Sequence, residues 1–326
     1  MDLRKKKFSN RAIGLITDES LGALFIVLIM AVVMAISTDK FLTVINITNV
    51  LRQSSFYIIV ALGGVCVIIV GELDLSVGSI MGIAGMIAAI MAQGHTNTFV
   101  VFAVCTLIGV GIGVINGLLV GYLRLPSFIV TLGMQLMLRG IVTIISGGFP
   151  VPNLDPRFNA VGTGVWFGIP APIYFTLLLC VITWLLFNRT LFGRHLYACG
   201  SNRQAATVSG ISTRRMVLLA YVYCGALAAF SGILLTSRIM TGQVATGSGY
   251  DLLSIAGIVI GGAAIGGGSG TVLGTVFGML VISILNDAMT LLGLNAFYQS
   301  ATQGLVIVLA TMLDVGRRSL RKRIKT

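Results

Sequence analysis

The chain has 326 residues, of which 56% are hydrophobic and only 10% are charged, and its mean hydropathy is +0.99. A soluble domain carries about 25% charged residues, so the composition excludes an ordinary soluble fold and predicts a membrane protein. The formal net charge of +12 does not indicate nucleic-acid binding. Most basic residues lie in three clusters beside apolar runs, and they form no stripe with interleaved aromatic residues.

Ten apolar runs predict transmembrane helices. The chain is therefore predicted to be all-α, a polytopic membrane helix bundle that forms a single domain over residues 1–326. Residues 41–52, between the first two runs, are too polar to cross a bilayer and predict a short amphipathic element at the outer surface. In chain order the runs cover residues 21–37, 56–70, 76–93, 99–121, 126–146, 170–187, 215–236, 250–267, 270–292 and 298–313.

The basic clusters predict the orientation of the bundle, because cytoplasmic loops retain Lys and Arg residues. An even number of spans puts both termini on one side, and both termini are basic. The N-terminal segment 1–20 and the tail 314–326 are therefore predicted to be cytoplasmic. The alternation then puts Arg124 and the loop 188–214 inside, and residues 147–169 outside.

Glycine recurs every four residues in two of the runs. At that spacing one helix face has no side chains, so a neighbouring backbone can approach closely, and the pattern predicts tight helix packing. The positions are Gly109, Gly113, Gly117 and Gly121 in one run and Gly270, Gly274 and Gly278 in another.

The two glycine-rich stretches form a weak internal repeat, and four amide side chains lie within or beside them. Hydrogen bonds between helices are one interpretation, and contacts to a hydroxyl-rich ligand such as a sugar are another. The sequence leaves both open for Asn116, Gln135, Asn286 and Gln303.

A charged segment, residues 71–79, interrupts two long apolar runs. Its Glu72 and Asp74 could form an ion or proton site, because charges at membrane depth are costly and usually functional. The favoured interpretation is a break between helices, in which Asp74 or Ser76 caps the following helix. Arg139 and Asp287 are the other charges inside predicted spans, and they either pair across the bundle or line a polar path.

Sequence motifs for catalysis are absent. The glycine-rich stretch 261–270 lacks the Lys that a phosphate-binding loop requires, so ATP hydrolysis by that mechanism is excluded. The five cysteines are scattered singly, and no Cys/His spacing suggests zinc. We therefore expect no enzyme activity, no catalytic residue, and no bound cofactor or metal in this chain.

The inside loop 188–214 is the most informative feature. Residues 202–209 are good helix formers, with Ser201 as a plausible cap, and glycines flank them. A short, exposed, basic helix of this kind is suited to docking a partner, with Ala205 and Ala206 at its centre.

With this loop, the chain resembles the permease subunits of bacterial ATP-binding-cassette importers of the ribose, xylose, arabinose and galactose class. One departure is Glu72, where many members carry an apolar residue. The resemblance covers nearly the whole chain and rests on Gly71–Ser79, Pro126–Gly133 with Arg139 and Gly140, Gly193–Gly210, Gly249–Leu252, Val259–Gly270 and Gly293–Gln299.

The resemblance implies a permease that pairs with a second copy or a sister permease in the bacterial inner membrane. A cytoplasmic ATPase would bind ATP and magnesium, and a periplasmic binding protein would deliver a pentose or hexose. The translocation path would run between the two permeases, with Asp74, Ser76, Asn116 and Gln135 as candidate lining residues. The residues expected to couple to the ATPase are Gly193, Arg194, Tyr197, Gly200, Ser201, Asn202, Ala205, Ala206 and Gly210.

The expected mechanism is alternating access driven by the partner ATPase. Two alternatives remain at this point. One is a proton- or ion-coupled secondary transporter that uses Glu72, Asp74 and Asp287, and the other is a channel that needs no ATPase.

Overall fold

The computed structural model describes residues 19–325. Residues 1–18 of the predicted N-terminal segment, and the side chains of the predicted basic tail 314–326, lie outside the described part. The described residues form thirteen helices and one antiparallel hairpin of β1 (Val165–Trp166) and β2 (Ile169–Pro170). The helices are α1 (Glu19–Ser37), α2 (Val44–Ile69), α3 (Val77–Gln93), α4 (Thr98–Gly121), α5 (Ser127–Ser146), α6 (Pro156–Thr163), α7 (Ala171–Arg189), α8 (Leu191–Ser201), α9 (Arg203–Val208), α10 (Thr213–Ile239), α11 (Tyr250–Ile260), α12 (Val272–Leu291) and α13 (Ala296–Lys325).

The chain is mostly helical, as predicted. Among the described residues, six helices are long and apolar enough to cross a membrane, namely α2, α4, α5, α7, α10 and α12. Three shorter apolar helices lie over Leu21–Ser37, Val77–Gln93 and Tyr250–Ile260. The tenth predicted run, 298–313, falls within α13.

Two of the predicted boundaries are wrong. The expected amphipathic element over residues 41–52 is the first part of α2, which begins after the N-cap Thr43 and continues without a break. Polar side chains on this first part, such as Asn46 and Asn49, line a cavity, so the helix does not have to end where they begin. The run 250–267 ends as a helix at Ile260, because the following residues turn through Gly262, which has a positive φ of 98°.

Helices α2 and α10 form the centre of the bundle. Helix α10 packs against α2, α3 and α4, and α2 also contacts α7, α11 and α12. The glycine row of α4 faces α10, where Gly109 meets Gly225 and Gly113 meets Tyr221 at their backbones. The predicted role of these glycines in close packing is confirmed on α4.

The outer helices present large apolar side chains away from the bundle. On α5, the exposed fractions of Leu136 and Ile144 are 68% and 81%. Contiguous apolar surface of this kind is unfavourable in water and marks a membrane or partner contact. The surface therefore agrees with the apolar spans in indicating a lipid-embedded bundle.

The bundle has two polar ends. At one end, which we call the coupling end, α2 finishes at Ile69 and meets α8 and α9. At the other, which we call the cavity end, α2 begins, α10 and α12 finish, and α13 begins. The segment 151–155 lies at the cavity end, where Val151 pairs with Gly242.

We predict that Gly113→Ala destabilises the bundle, whereas Gly111→Ala does not. A Cβ on Gly113 would lie 2.9 Å from the Cα of Val222 and press on the Tyr221 carbonyl, whereas one on Gly111 meets nothing within 4 Å. Overpacking of this kind costs about 1–3 kcal/mol, and Ala otherwise favours a helix. Thermal unfolding in detergent measures the difference, and equal melting temperatures for the two variants would contradict this packing.

Candidate functional site

Three of the predicted path residues form a continuous buried chain of hydrogen bonds. Asp74 Oδ1 accepts hydrogen bonds from the Ser76 backbone N–H at 2.8 Å and from Ser76 Oγ at 2.6 Å. Asn116 Nδ2 donates to the same Ser76 Oγ at 2.9 Å, and all three side chains are buried. We call Asp74, Ser76 and Asn116 the buried polar chain. It fastens the start of α3 to the middle of α4.

The side-chain helix cap predicted for Asp74 or Ser76 is wrong. Ser76 occupies the N-cap position of α3 but makes no capping bond with its side chain. Asp74 accepts the N–H of Ser76 itself, two residues on, and so orders the turn that precedes the helix. The assignment of these residues to a substrate path stays a prediction.

Gln135, the fourth predicted path residue, lies outside the buried polar chain. Its Nε2 donates to Oδ2 of the buried Asp251 at the start of α11. It therefore joins α5 to α11 while the other three join α3 to α4. The structure brings three of the four candidates together.

Arg139 and Asp287 do not pair, so that interpretation is wrong. Arg139 Nη1 donates to the carbonyls of Val244 at 2.7 Å and Thr246 at 2.9 Å. These carbonyls follow α10 and satisfy the guanidinium without a carboxylate partner. Asp287 instead accepts from Asn46 Nδ2 at 2.9 Å, across the boundary between α12 and α2.

A cavity of about 500 Å³, which we call the polar cavity, opens at the cavity end between α2, α10, α12 and α13. Six of its thirteen lining residues are amides, an unusual share for a bundle that is 56% hydrophobic. They are Asn46, Asn49, Gln53, Asn286, Gln299 and Gln303.

The sequence identified only part of this lining. Asn286 and Gln303 were candidates for interhelical bonds or ligand contacts, and Gln303 Nε2 does donate to Asn286 Oδ1 at 3.0 Å. Asn46 and Asn49 were missed because residues 41–52 were interpreted as a surface element, and Gln53 because the next span was predicted to begin at residue 56. The available signal was the spacing of Asn46, Asn49, Gln53 and Tyr57, which recur every three or four residues and so share one helix face.

The coupling segment, residues 188–214, forms two short helices, α8 and α9. The predicted Ser201 cap is wrong, since Asn202 Oδ1 accepts from the Ala205 N–H at 2.9 Å and caps α9. Of the expected coupling residues, one group is exposed and the other faces the bundle. Exposed are Arg194, Ser201, Asn202, Ala205 and Gly210, whereas Gly193, Tyr197, Gly200 and Ala206 are buried or half-buried.

The inward-facing residues fasten the coupling segment to the bundle. The backbone at Gly200 lies against Ile69 at the end of α2 and against Gly268. Tyr197 donates its hydroxyl to the Gly270 carbonyl at 2.7 Å, and burial raises the pKa of its phenol to about 12, so it stays protonated. Substitution of Gly200 would separate the segment from α2.

An ion pair adds a second link to the end of α2. Arg203, the first residue of α9, pairs with Glu72 and also donates to the Val70 carbonyl at 3.3 Å. Because the Arg203 side chain is 49% exposed, the pair adds little to stability and acts mainly as a positional link. Arg124 and Arg214 line a groove of about 700 Å³ beside this ion pair. The loops that contain these two residues, which were predicted to lie on the same side of the membrane, are therefore close together.

This arrangement defines a class of protein. An apolar bundle with a polar cavity at one end and exposed short helices at the other is typical of a membrane transport component. A family model described as the permease component of the branched-chain amino acid transport system matches residues 46–311. The chain belongs to this permease family.

Its curated relatives are import permeases. The ribose import permease of Haemophilus influenzae is 36% identical over 96% of this chain and 98% of its own length. The galactose/methyl galactoside import permease of Escherichia coli is 33% identical over 90% of this chain and 93% of its own, and the D-allose transport permease of the same organism is 33% identical over 90% of each. No solved structure shows a significant match. The resemblance to sugar importer permeases is confirmed, and the chain is a non-catalytic permease subunit.

We predict that Asp74→Asn is tolerated and Asp74→Leu is not. An Asn side chain keeps the oxygen that accepts both Ser76 donors, whereas Leu leaves them without an acceptor, which costs about 1–3 kcal/mol. Thermal unfolding and uptake measure the two effects. Loss of uptake in Asp74→Asn with unchanged stability would instead indicate an ion site at this carboxylate.

Proposed function

We propose that the chain translocates a monosaccharide, a pentose or hexose, as the permease subunit of an ATP-binding-cassette importer in the bacterial inner membrane. The observation that carries this is the alignment with ribose, galactose and allose permeases over at least 90% of the chain. The partners are a second copy or sister permease, a cytoplasmic ATPase that holds ATP and magnesium, and a periplasmic sugar-binding protein. The ion-coupled alternative is not favoured.

The proposed topology has ten spans, with both termini in the cytoplasm. It is supported by nine apolar helices among the described residues and by α13, which covers the tenth apolar run. The coupling end holds Arg124, Arg203 and Arg214, and positive loops favour the cytoplasm. The cavity end then faces the periplasm, where the binding protein delivers sugar.

We propose that α9 transmits the ATPase motion. Ala205 and Val208 project from it into solvent, with Val208 90% exposed, and so offer a small apolar contact for a partner. The contacts of Gly200 on α8 with Ile69 and of Arg203 on α9 with Glu72 join these two short helices to the end of α2. Displacement of α9 therefore moves α2, and with it the path between the two permeases.

Uptake by the reconstituted transporter tests this function. We expect the permease, in proteoliposomes with its ATPase and binding protein, to accumulate ribose, galactose or allose only when ATP is present. Leucine and valine serve as the comparison, because the family model also covers amino acid permeases. ATP-dependent uptake of leucine and no sugar would overturn the proposed substrate class, and uptake without ATP would favour a channel or secondary transporter.

The same assay tests the coupling segment. Ala205→Glu should reduce uptake at least tenfold, because a charged side chain at the exposed centre of α9 disrupts an apolar contact. Ala160→Glu is the matched control, since Ala160 is also exposed but lies on α6, away from the coupling segment. Both variants should reach the membrane in wild-type amounts. Normal uptake by Ala205→Glu would show that α9 does not dock the ATPase.

A further inference from the structure

The polar cavity has a lining whose chemistry selects among ligands. Asn and Gln side chains each present two donors and one acceptor oxygen, and a sugar hydroxyl both donates and accepts. Six amides around about 500 Å³ therefore suit a ligand that carries a hydroxyl on most of its carbons. The volume also falls in the range of small-molecule sites, about 300–1,000 Å³.

The charges of the cavity neutralise each other. Arg238 and Asp287 are the two charged residues among its lining, one of each sign. Arg238 Nη1 donates to Gln53 Oε1 at 3.2 Å, and Asp287 accepts from Asn46 at 2.9 Å, so each charge is already engaged by an amide. A lining with no net charge suits a neutral polyol better than an inorganic ion.

One buried hydroxyl in the lining lacks a partner. Ser283 is only 3% exposed, and its Oγ makes no hydrogen bond to any described residue. It lies one helical turn before Asn286 and Asp287 on α12 and lines the same cavity. Buried polar groups are normally satisfied, so this hydroxyl points to a ligand that reaches it.

We propose that the polar cavity is a sugar-contacting station on the translocation path, in which Ser283, Asn286 and Gln303 hydrogen-bond the hydroxyls of the passing sugar. The proposal rests on the function above and adds the site where this chain touches its substrate. The bond from Gln303 to Asn286 joins α13 to α12, and that from Asn46 to Asp287 joins α2 to α12. The sugar therefore binds where three helices meet.

The station lies apart from the buried polar chain. Asp74, Ser76 and Asn116 are 5%, 0% and 0% exposed and bond to one another. The lining of the polar cavity, in contrast, includes the exposed Asn49. The cavity is thus open to a ligand, whereas the buried polar chain is enclosed within the bundle, where Asp74 Oδ2 and Asn116 Oδ1 also make no hydrogen bond to a described residue.

Paired variants test the station in the complete transporter with its ATPase and binding protein. Gln303→Leu should lower sugar uptake at least tenfold while ATP hydrolysis stimulated by the binding protein changes less than twofold. Gln93→Leu is the matched control, because Gln93 is an exposed amide at the same end that bonds only the Pro152 carbonyl among the described residues and does not line the cavity. It should transport like the wild type.

The Ser283→Ala variant distinguishes a loss of sugar binding from a loss of protein stability. The Ser283 hydroxyl bonds no described residue, so its removal breaks no hydrogen bond within the described part of the chain, yet uptake should fall at least threefold if the hydroxyl contacts sugar. Wild-type uptake by Ser283→Ala and Gln303→Leu would overturn the station. Should Gln303→Leu fail to assemble, Ser283→Ala alone decides. Absence of ATP-dependent sugar uptake in the wild type would refute the proposed function instead.

Discussion

The close approach of backbones around α10 is the constraint on which the rest of the structure depends. Gly225 of α10 meets Gly109, Gly232 meets Met81 of α3, and the α10 backbone at Cys224 meets Gly63 of α2. Lipid offers no hydrophobic drive for helices to associate, so contact over small residues supplies the attraction. The two polar clefts, which are the polar cavity and the groove beside Arg203, lie at the ends of this close-packed centre, while the buried polar chain lies within the bundle.

Helix α2 connects those two ends. Its 26 residues run from Asn46 and Gln53, which line the polar cavity, to Ile69, which lies against the coupling segment. At 1.5 Å per residue this is about 39 Å, the length needed to cross a bilayer. In the mechanism that we propose, one continuous helix carries a movement of the coupling segment against Ile69 and Glu72 to the cavity.

Apolar run lengths and glycine spacing predicted most of the bundle, because both are local properties of a helix in lipid. The same local argument failed at residues 41–52, where polarity indicated a surface element although Asn46 and Asn49 line a polar cavity. It also left two interpretations open for Arg139 and Asp287, a pair or a polar path, and the pair is absent because the carbonyls of Val244 and Thr246 accept from the guanidinium. Which polar groups meet depends on contacts between distant helices, and sequence spacing does not encode them.

The central claim is that ATP binding by the partner at the coupling end changes the accessibility of the polar cavity. Labelling of a cavity thiol in different nucleotide states tests this claim. Asn49→Cys puts a thiol in the lining, in a Cys180→Ala background, because the other four native cysteines are buried. We expect an impermeant maleimide, added from the cavity side, to label this thiol at rates that differ at least fivefold between the nucleotide-free and the ATP-bound transporter. Equal labelling rates in the two states would contradict it.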